Sequence, residues 1–349
     1  MMKVLFFVIV AIFGVANATA DGEKDHNEAE YRALCGVLNA AVNELRSGLE
    51  SHSEPMRTAL HRTIFGKDGG GSLDDLKSKL PGNYQLPDGY STRPFFCGQP
   101  KQEKVNDKES HALWPGHSAP HDLLCLCTAG DGGWPLSASD AGKVKLCGKT
   151  LSDLGGEANL GWFRQQSGEK QIQATWTSVT RECLSGNGAE TSLQSAMDAF
   201  KTKLKQNTSS SKHKDERLLG EGKFGDYPCG GSKQICVMYY NTTDNAKHKP
   251  WWKELEEAIK IDEQMQKTRK EETRKQKEIE KQKESYKQET LQFPRSPRTA
   301  AITSAPQGSQ DAEQENPENI SAPIATIEDA SGTLLIHSCS WFLGVLLLI

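Results

Sequence analysis

Two stretches of the chain carry residue types that could do chemistry. His111, His117, His121, Cys125 and Cys127 bring three imidazoles and two thiols within seventeen positions. Imidazole and thiolate are the ligands of tetrahedral zinc, and a thiolate beside an imidazole is an activated nucleophile. Cys125 and Cys127 are separated by a single residue, so the set lacks the paired C-x-x-C spacing that would accompany His117 and His121 in a zinc site, and a nucleophile needs a thiol left free; the set reads as a structural loop. The second stretch is Gly220, Gly222 and Gly225, a literal G-x-G-x-x-G. A phosphate-cradling turn needs a hydrophobic strand before it and a helix opening from it. Here Lys212-His213-Lys214-Asp215-Glu216-Arg217 precedes and Asp226-Tyr227-Pro228-Cys229 follows, which predicts an ordinary turn. No Gly-x-Ser-x-Gly elbow or H-E-x-x-H helix occurs either. The expectation is a protein with no catalytic residue, metal or cofactor.

The chemistry the cysteines do support is oxidation. Nine are present, and Cys339 falls in a C-terminal segment read below as removed. The remaining Cys35, Cys97, Cys125, Cys127, Cys147, Cys183, Cys229 and Cys236 form an even set, which fits disulfides in an oxidising compartment. Cys125 and Cys127 are too close to bridge each other comfortably, so each is expected to take a different partner. Cys229 and Cys236 flank Gly230-Gly231-Ser232, a turn that lets them close a small loop. The full pairing stays open, because eight cysteines allow 105 connectivities.

Both ends fit that address. Lys3, an apolar run from Val4 to Val15 and the small residues Ala18-Thr19-Ala20 predict a signal peptide over 1–20, too short to span a bilayer. At the other end Asp329-Ala330-Ser331-Gly332-Thr333, a mostly polar spacer and Trp341 to Ile349 form the pattern of a glycosylphosphatidylinositol (GPI) signal. Ser331 is the expected attachment residue, with Asp329 and Gly332 as alternatives, and 332–349 would be discarded. Asn207, Asn241 and Asn319 head N-glycosylation sequons in the mature chain, whereas the one at Asn17 lies in the signal peptide. Formal net charge is −4, so there is no global basic field to attract nucleic acid.

The elements that position these residues are mainly helical. Tyr31, Leu34, Cys35, Leu38, Ala41, Val42, Leu45 and Leu49 recur at three- and four-residue steps, an amphipathic helix wide enough to pack in a bundle or antiparallel coiled-coil core. Ile172, Trp176, Val179 and Cys183 form a second stripe; Leu193, Met197, Phe200 and Leu204 form a third, capped by Thr191 or Ser192. Between the first two lies a Gly-, Pro- and Asp-rich stretch, roughly 66–156, read as long loops held by disulfides. A cysteine-rich domain over 21–250 is thus followed by a charged helical stalk over 251–291. Leu255, Ile259 and Met265 give that stalk a short apolar edge, and Glu256–Lys260, Glu263–Lys267 and Glu271–Lys275 support it as i,i+4 pairs. Its acidic and basic residues alternate, which argues against a polyanion-binding patch. Residues 292–331, rich in proline and poor in apolar side chains, read as a disordered linker.

Cys35 inside the first long helix, Leu124-Cys125-Leu126-Cys127, Trp176-Thr177 with Cys183 downstream, and Ile235-Cys236-Val237-Met238-Tyr239-Tyr240 resemble the variant surface glycoproteins (VSGs) of African trypanosomes, in particular the B-type N-terminal domain. The separate cysteine-rich C-terminal domain of many members has no counterpart between Cys236 and the discarded tail. The resemblance implies a GPI-anchored coat protein on the outer leaflet of the plasma membrane, built on long antiparallel helices. It also implies a homodimer that opposes host antibodies by steric shielding. A surface receptor for a host serum macromolecule is the alternative, with the loop around Trp114, His117 and Trp134 as its binding surface. Thiol titration of the denatured, unreduced mature chain should detect no free cysteine; one reactive thiol per chain would break the even set.

Overall fold

The computed structural model describes residues 23–84, 93–101, 104–105, 108–109, 113–136, 142–157, 159–163, 168–186, 191–208, 215–225, 227–240 and 248–290. The signal peptide, His111, Asn241, Asn319, the linker and the segment holding Asp329, Ser331 and Gly332 lie outside these residues.

Helix α1 spans Glu28–Ser47, with Glu28 and Glu30 in its first turn and Arg46 in its last, each sign where the helix dipole favours it. Its buried stripe is Leu34, Val37, Leu38, Ala40, Ala41 and Val42, and Gly48 ends it at φ 108°. Leu49, expected on the same stripe, falls in a separate 3-10 turn, Leu49–Ser51. Helix α2, Glu54–Phe65, starts with a proline in its first turn and stops at Gly66 in the left-handed region.

The stretch expected as loops contains two further helices. α3 is Leu73–Ser78, its N-terminus capped by the Ser72 hydroxyl. α4 is Ala119–Cys127, where Ser118 Oγ accepts the His121 N–H and Pro120 occupies the first turn. All nine residues of α4 are buried. A helix surrounded on every side needs no polar stripe, so periodicity could not reveal it.

α5, Glu169–Thr175, continues through a π-helical turn at Trp176–Thr180 into α6, Arg181–Cys183. Ile172, Trp176, Val179 and Cys183 are buried along it, as the second stripe predicts. α7, Leu193–Lys201, is capped by Ser192 and buries Leu193, Met197 and Phe200; Leu204 lies past its end. Helix α1 packs against α2, α4, α6 and α7.

Short strands tie the helices together. β1, Lys24–His26, β2, Lys104–Val105, β3, Lys108–Glu109, and β4, Val144–Leu146, make two two-stranded ribbons, β1 with β4 in parallel and β2 with β3 antiparallel. β5, Lys205–Gln206, β6, Glu216–Glu221, and β7, Ile235–Tyr240, form an antiparallel sheet in that order. This corrects the reading of Gly220 as part of a turn. It lies inside β6 opposite Cys236, and a Cβ there would meet Leu126 Cδ1 at 2.6 Å. Gly222 is equally pressed, since a Cβ would reach Cys236 Sγ at 2.2 Å. The glycines admit close packing, and β7 rather than a helix follows them.

α8, Trp251–Thr290, is about 60 Å long at 1.5 Å per residue. Trp251, Trp252, Leu255, Ala258, Ile259 and Asp262 are buried, a face of about three turns. Asp262 closes it: Oδ1 accepts the Ser53 N–H at 2.7 Å, and Oδ2 lies 3.2 Å from His52 Nδ1. Met265, expected on the apolar edge, is instead 40 % exposed. Of the expected i,i+4 pairs Glu256–Lys260 closes, at 3.7 Å, and Arg274–Glu278 forms at 3.6 Å further along.

The eight cysteines pair as Cys35–Cys183, Cys97–Cys125, Cys127–Cys147 and Cys229–Cys236. The first joins α1 to α6, and α4 is held at two points by different partners. Because the buried face of α8 ends at Asp262, with only an exposed Arg269 contact to Ser51 O at 3.5 Å beyond it, Leu255→Ala should cost about 2–5 kcal/mol in chemical denaturation, whereas Ile279→Ala should stay within about 0.5 kcal/mol. Equal losses would show that the far half of the helix is also packed.

Candidate functional site

The densest collection of polar side chains surrounds α4, where the sequence placed its histidines and thiols. Cys125 and Cys127 are both in disulfides, so neither supplies a thiolate. His121 is fully buried. Its Nε2 lies 2.9 Å from the Phe96 carbonyl and its Nδ1 3.0 Å from the Tyr84 hydroxyl. A carbonyl only accepts, so Nε2 carries the hydrogen and Nδ1 receives the tyrosine O–H: a neutral imidazole. Burial pushes its pKa down to about 4, against the Phe96 contact that raises it. Neither ring nitrogen is left to hold a metal.

Asp122 follows directly on the helix and is also fully buried. Three donors converge on it: Gly116 N–H to Oδ1 at 2.9 Å, Tyr239 O–H to Oδ2 at 2.9 Å and Trp251 Nε1–H to Oδ2 at 2.7 Å. One carboxylate thus joins the loop before α4, strand β7 and the start of α8. Burial lifts its pKa to about 7, the three donors pulling the other way. A backbone bond from Trp251 N to Gly116 O at 2.9 Å doubles the link to α8.

At the C-terminal end of α4 Arg93 is buried with 0 % exposure. It donates Nε–H to the Cys229 carbonyl at 3.2 Å, Nη1–H to Thr128 O at 2.8 Å and Nη2–H to Cys125 O, with Trp162 beneath it, 5.2 Å from guanidinium carbon to ring centre. Burial lowers its pKa to about 9, still leaving it charged at neutral pH. Three carbonyls and an aromatic face replace the water the cation gave up. Asn27, in the left-handed region before α1, does similar work: Nδ2 donates to Leu126 O and Ile235 O, each at 2.9 Å, and Oδ1 accepts Glu221 N–H. Sequence reasoning missed Asn27, Arg93 and Asp122; only a lone Asn just before a helix was a visible signal.

The loop singled out for binding divides between partners. Trp114 meets His117 at 6.3 Å and His248 at 6.0 Å between ring centres, while Trp134 packs edge-on against His26 at 5.5 Å. Trp114, His117, His248 and Trp251 line a cleft of about 310 Å³ with Arg62 and Glu254. The ring of His117 covers Gly66, where a Cβ would come within 1.9 Å of it, and its Nδ1 is sealed from solvent without a partner among the described residues. Burial lowers its pKa to about 3, helped by His121 and Lys101. Asn207, the one sequon asparagine among the described residues, is 6 % exposed. No group of three or more His, Cys, Asp or Glu side chains arranged for a metal occurs among the described residues.

These contacts describe a scaffold whose polar atoms hold elements together. The trypanosomal VSG domain, type B, matches residues 43–281, more than half the chain. The chain belongs to the trypanosomal VSG family. VSG-domain proteins are cell-surface coat proteins, a structural rather than enzymatic family. Comparison with curated proteins returned no match. No helix of this VSG domain is long and apolar enough to cross a membrane, among the described residues.

The buried groups set a pH dependence for the domain. His117 and His121 take up protons when unfolded but not when folded between about pH 6.5 and 4, so their share of stability is present above pH 6.5 and lost as pH falls. Asp122, raised, acts oppositely: the folded state keeps a proton that the unfolded chain has shed, so its share is lost as pH rises toward 7. The two histidines outweigh the one carboxyl. Denaturation midpoints should therefore fall on acidification from pH 6.5 to 4, and His117→Phe should flatten that slope by about 1.4 kcal/mol per pH unit. An unchanged slope would mean that His117 takes up its proton as readily in the folded domain as in the unfolded chain.

Proposed function

We propose that this VSG-family chain is a GPI-anchored coat glycoprotein that works by occupying space. As one of many identical neighbours it would keep host antibodies from the membrane, and its exchange for another variant would change what they meet. The observation that carries this reading is the match of residues 43–281 to the VSG domain. The small-residue cluster at Asp329 to Thr333, followed by a polar spacer and an apolar end, supports the anchor. A single acyl chain binds a membrane only marginally, whereas a diacyl anchor on each subunit holds firmly and still permits lateral diffusion. For a homodimer the family resemblance is the main support; on α8 the exposed Met265 and Ile279 lie two heptads apart, with Glu272 at the position between them.

The receptor alternative has the cleft beside Trp114 and His117 in its favour. At about 310 Å³ it suits a small molecule, whereas a serum macromolecule would need roughly 800 Å² of surface on each partner. Phosphatidylinositol-specific phospholipase C should release the intact ectodomain from cells, and the released protein should be among the most abundant surface species. Retention after complete lipase digestion would refute the anchor. Saturable capture of one serum protein by a scarce surface species would favour the receptor.

A further inference from the structure

Asn207-Thr208-Ser209 is a complete acceptor sequence for N-linked glycan, yet the fold has already used its asparagine. Asn207 directly follows β5 and is 6 % exposed. Its Nδ2 donates to Glu216 Oε2 at 3.1 Å, and its backbone N–H points at the Glu216 carbonyl at 3.5 Å. Glu216 begins β6, whose Arg217 and Leu218 pair with Gln206 and Lys205. Side chain and backbone of Asn207 therefore extend the β5–β6 ladder by one rung.

Glycosylation would act on that same nitrogen. The Nδ2–C1 bond forms as the sugar's C1–O bond to a lipid-linked pyrophosphate breaks; the pyrophosphate leaves and one Nδ2 proton passes to a base. The remaining N–H could still reach Glu216, but the first sugar ring needs a path to solvent that so buried a side chain does not offer. We infer that the folded protein carries no glycan at Asn207, and that this carboxamide is instead the clasp closing the β5–β6 pair. Sugar and native pairing exclude each other. Since the transfer takes place on the nascent chain, any molecule modified here would fail to close the sheet. The inference rests on the secretory reading above, because only a chain entering that compartment meets the enzyme.

The test uses the full chain exported by a eukaryotic host behind the host's own signal peptide, so that passage through the compartment is assured; the secreted fraction is chain collected from the medium or released from the cell surface by phospholipase C. Secreted, disulfide-bonded protein is treated with peptide N-glycosidase in ¹⁸O water, which converts each formerly glycosylated asparagine to ¹⁸O-labelled aspartate. The Asn207 peptide should emerge unlabelled. Ser209→Ala, which removes the sequon without touching Asn207, should leave gel mobility and Tm unchanged, whereas Asn207→Gln should lower Tm by about 2–4 °C through loss of the clasp. Label at Asn207 in the secreted fraction, or faster migration of Ser209→Ala, would overturn the inference. So would an Asn207→Gln protein as stable as the parent. Glycan at Asn241 or Asn319 of protein from its own cells tests the secretory reading separately.

Discussion

A helix with no solvent face constrains everything around it. Each residue of α4 is buried, so the polar groups it carries must find partners inside the protein, where an unpaired donor or acceptor costs about 1–3 kcal/mol. His121 answers with Tyr84 and Phe96, and Asp122 with Gly116, Tyr239 and Trp251. The helix's own last carbonyls are taken up in turn: Cys125 O by Arg93 and Leu126 O by Asn27. Since those partners come from the loops, the sheet and α8, satisfying α4 ties each of these to it. The two disulfides at Cys125 and Cys127 fasten the same helix covalently.

What the sequence made legible were features with a short-range signature. The first helix, the stripe through Trp176, the Ser192 cap and the long charged helix each follow from spacing within a few turns. The small Cys229–Cys236 loop follows from the turn between its ends. α4 could not be seen, because nine residues buried all round carry no alternation to read, and its Pro, His and Asp look like loop residues. The sheet around Gly220 was hidden for a related reason: its strands are held by residues such as Asn27, almost two hundred positions away. Arg93 and Asp122 belong to the same class. A buried ionisable group is recognisable only by its partners, and most of these lie far along the chain: Cys125, Thr128 and Cys229 for Arg93, Tyr239 and Trp251 for Asp122.

The functional reading rests on the family match, and what these polar groups do agrees with it. At an enzyme's centre one expects an imidazole or carboxylate with a lone pair or proton directed at open space. His121 and Asp122 have theirs directed at neighbouring backbone and side chains, and Arg93 spends its charge on carbonyls. Such a network rigidifies a scaffold, which suits a family whose members serve as a surface coat.

The Cys35–Cys183 bridge has a consequence for how the chain is made. Its two cysteines are 148 residues apart, so at about 5–20 residues per second the first must wait roughly 7–30 s for the second to be synthesised. During that interval Cys97, Cys125, Cys127 and Cys147 all emerge before it, and each can capture the waiting thiol. Any such early pairing has to be undone by thiol–disulfide exchange before Cys35 can join Cys183, so the span of this one bridge sets how much isomerase help the chain can use.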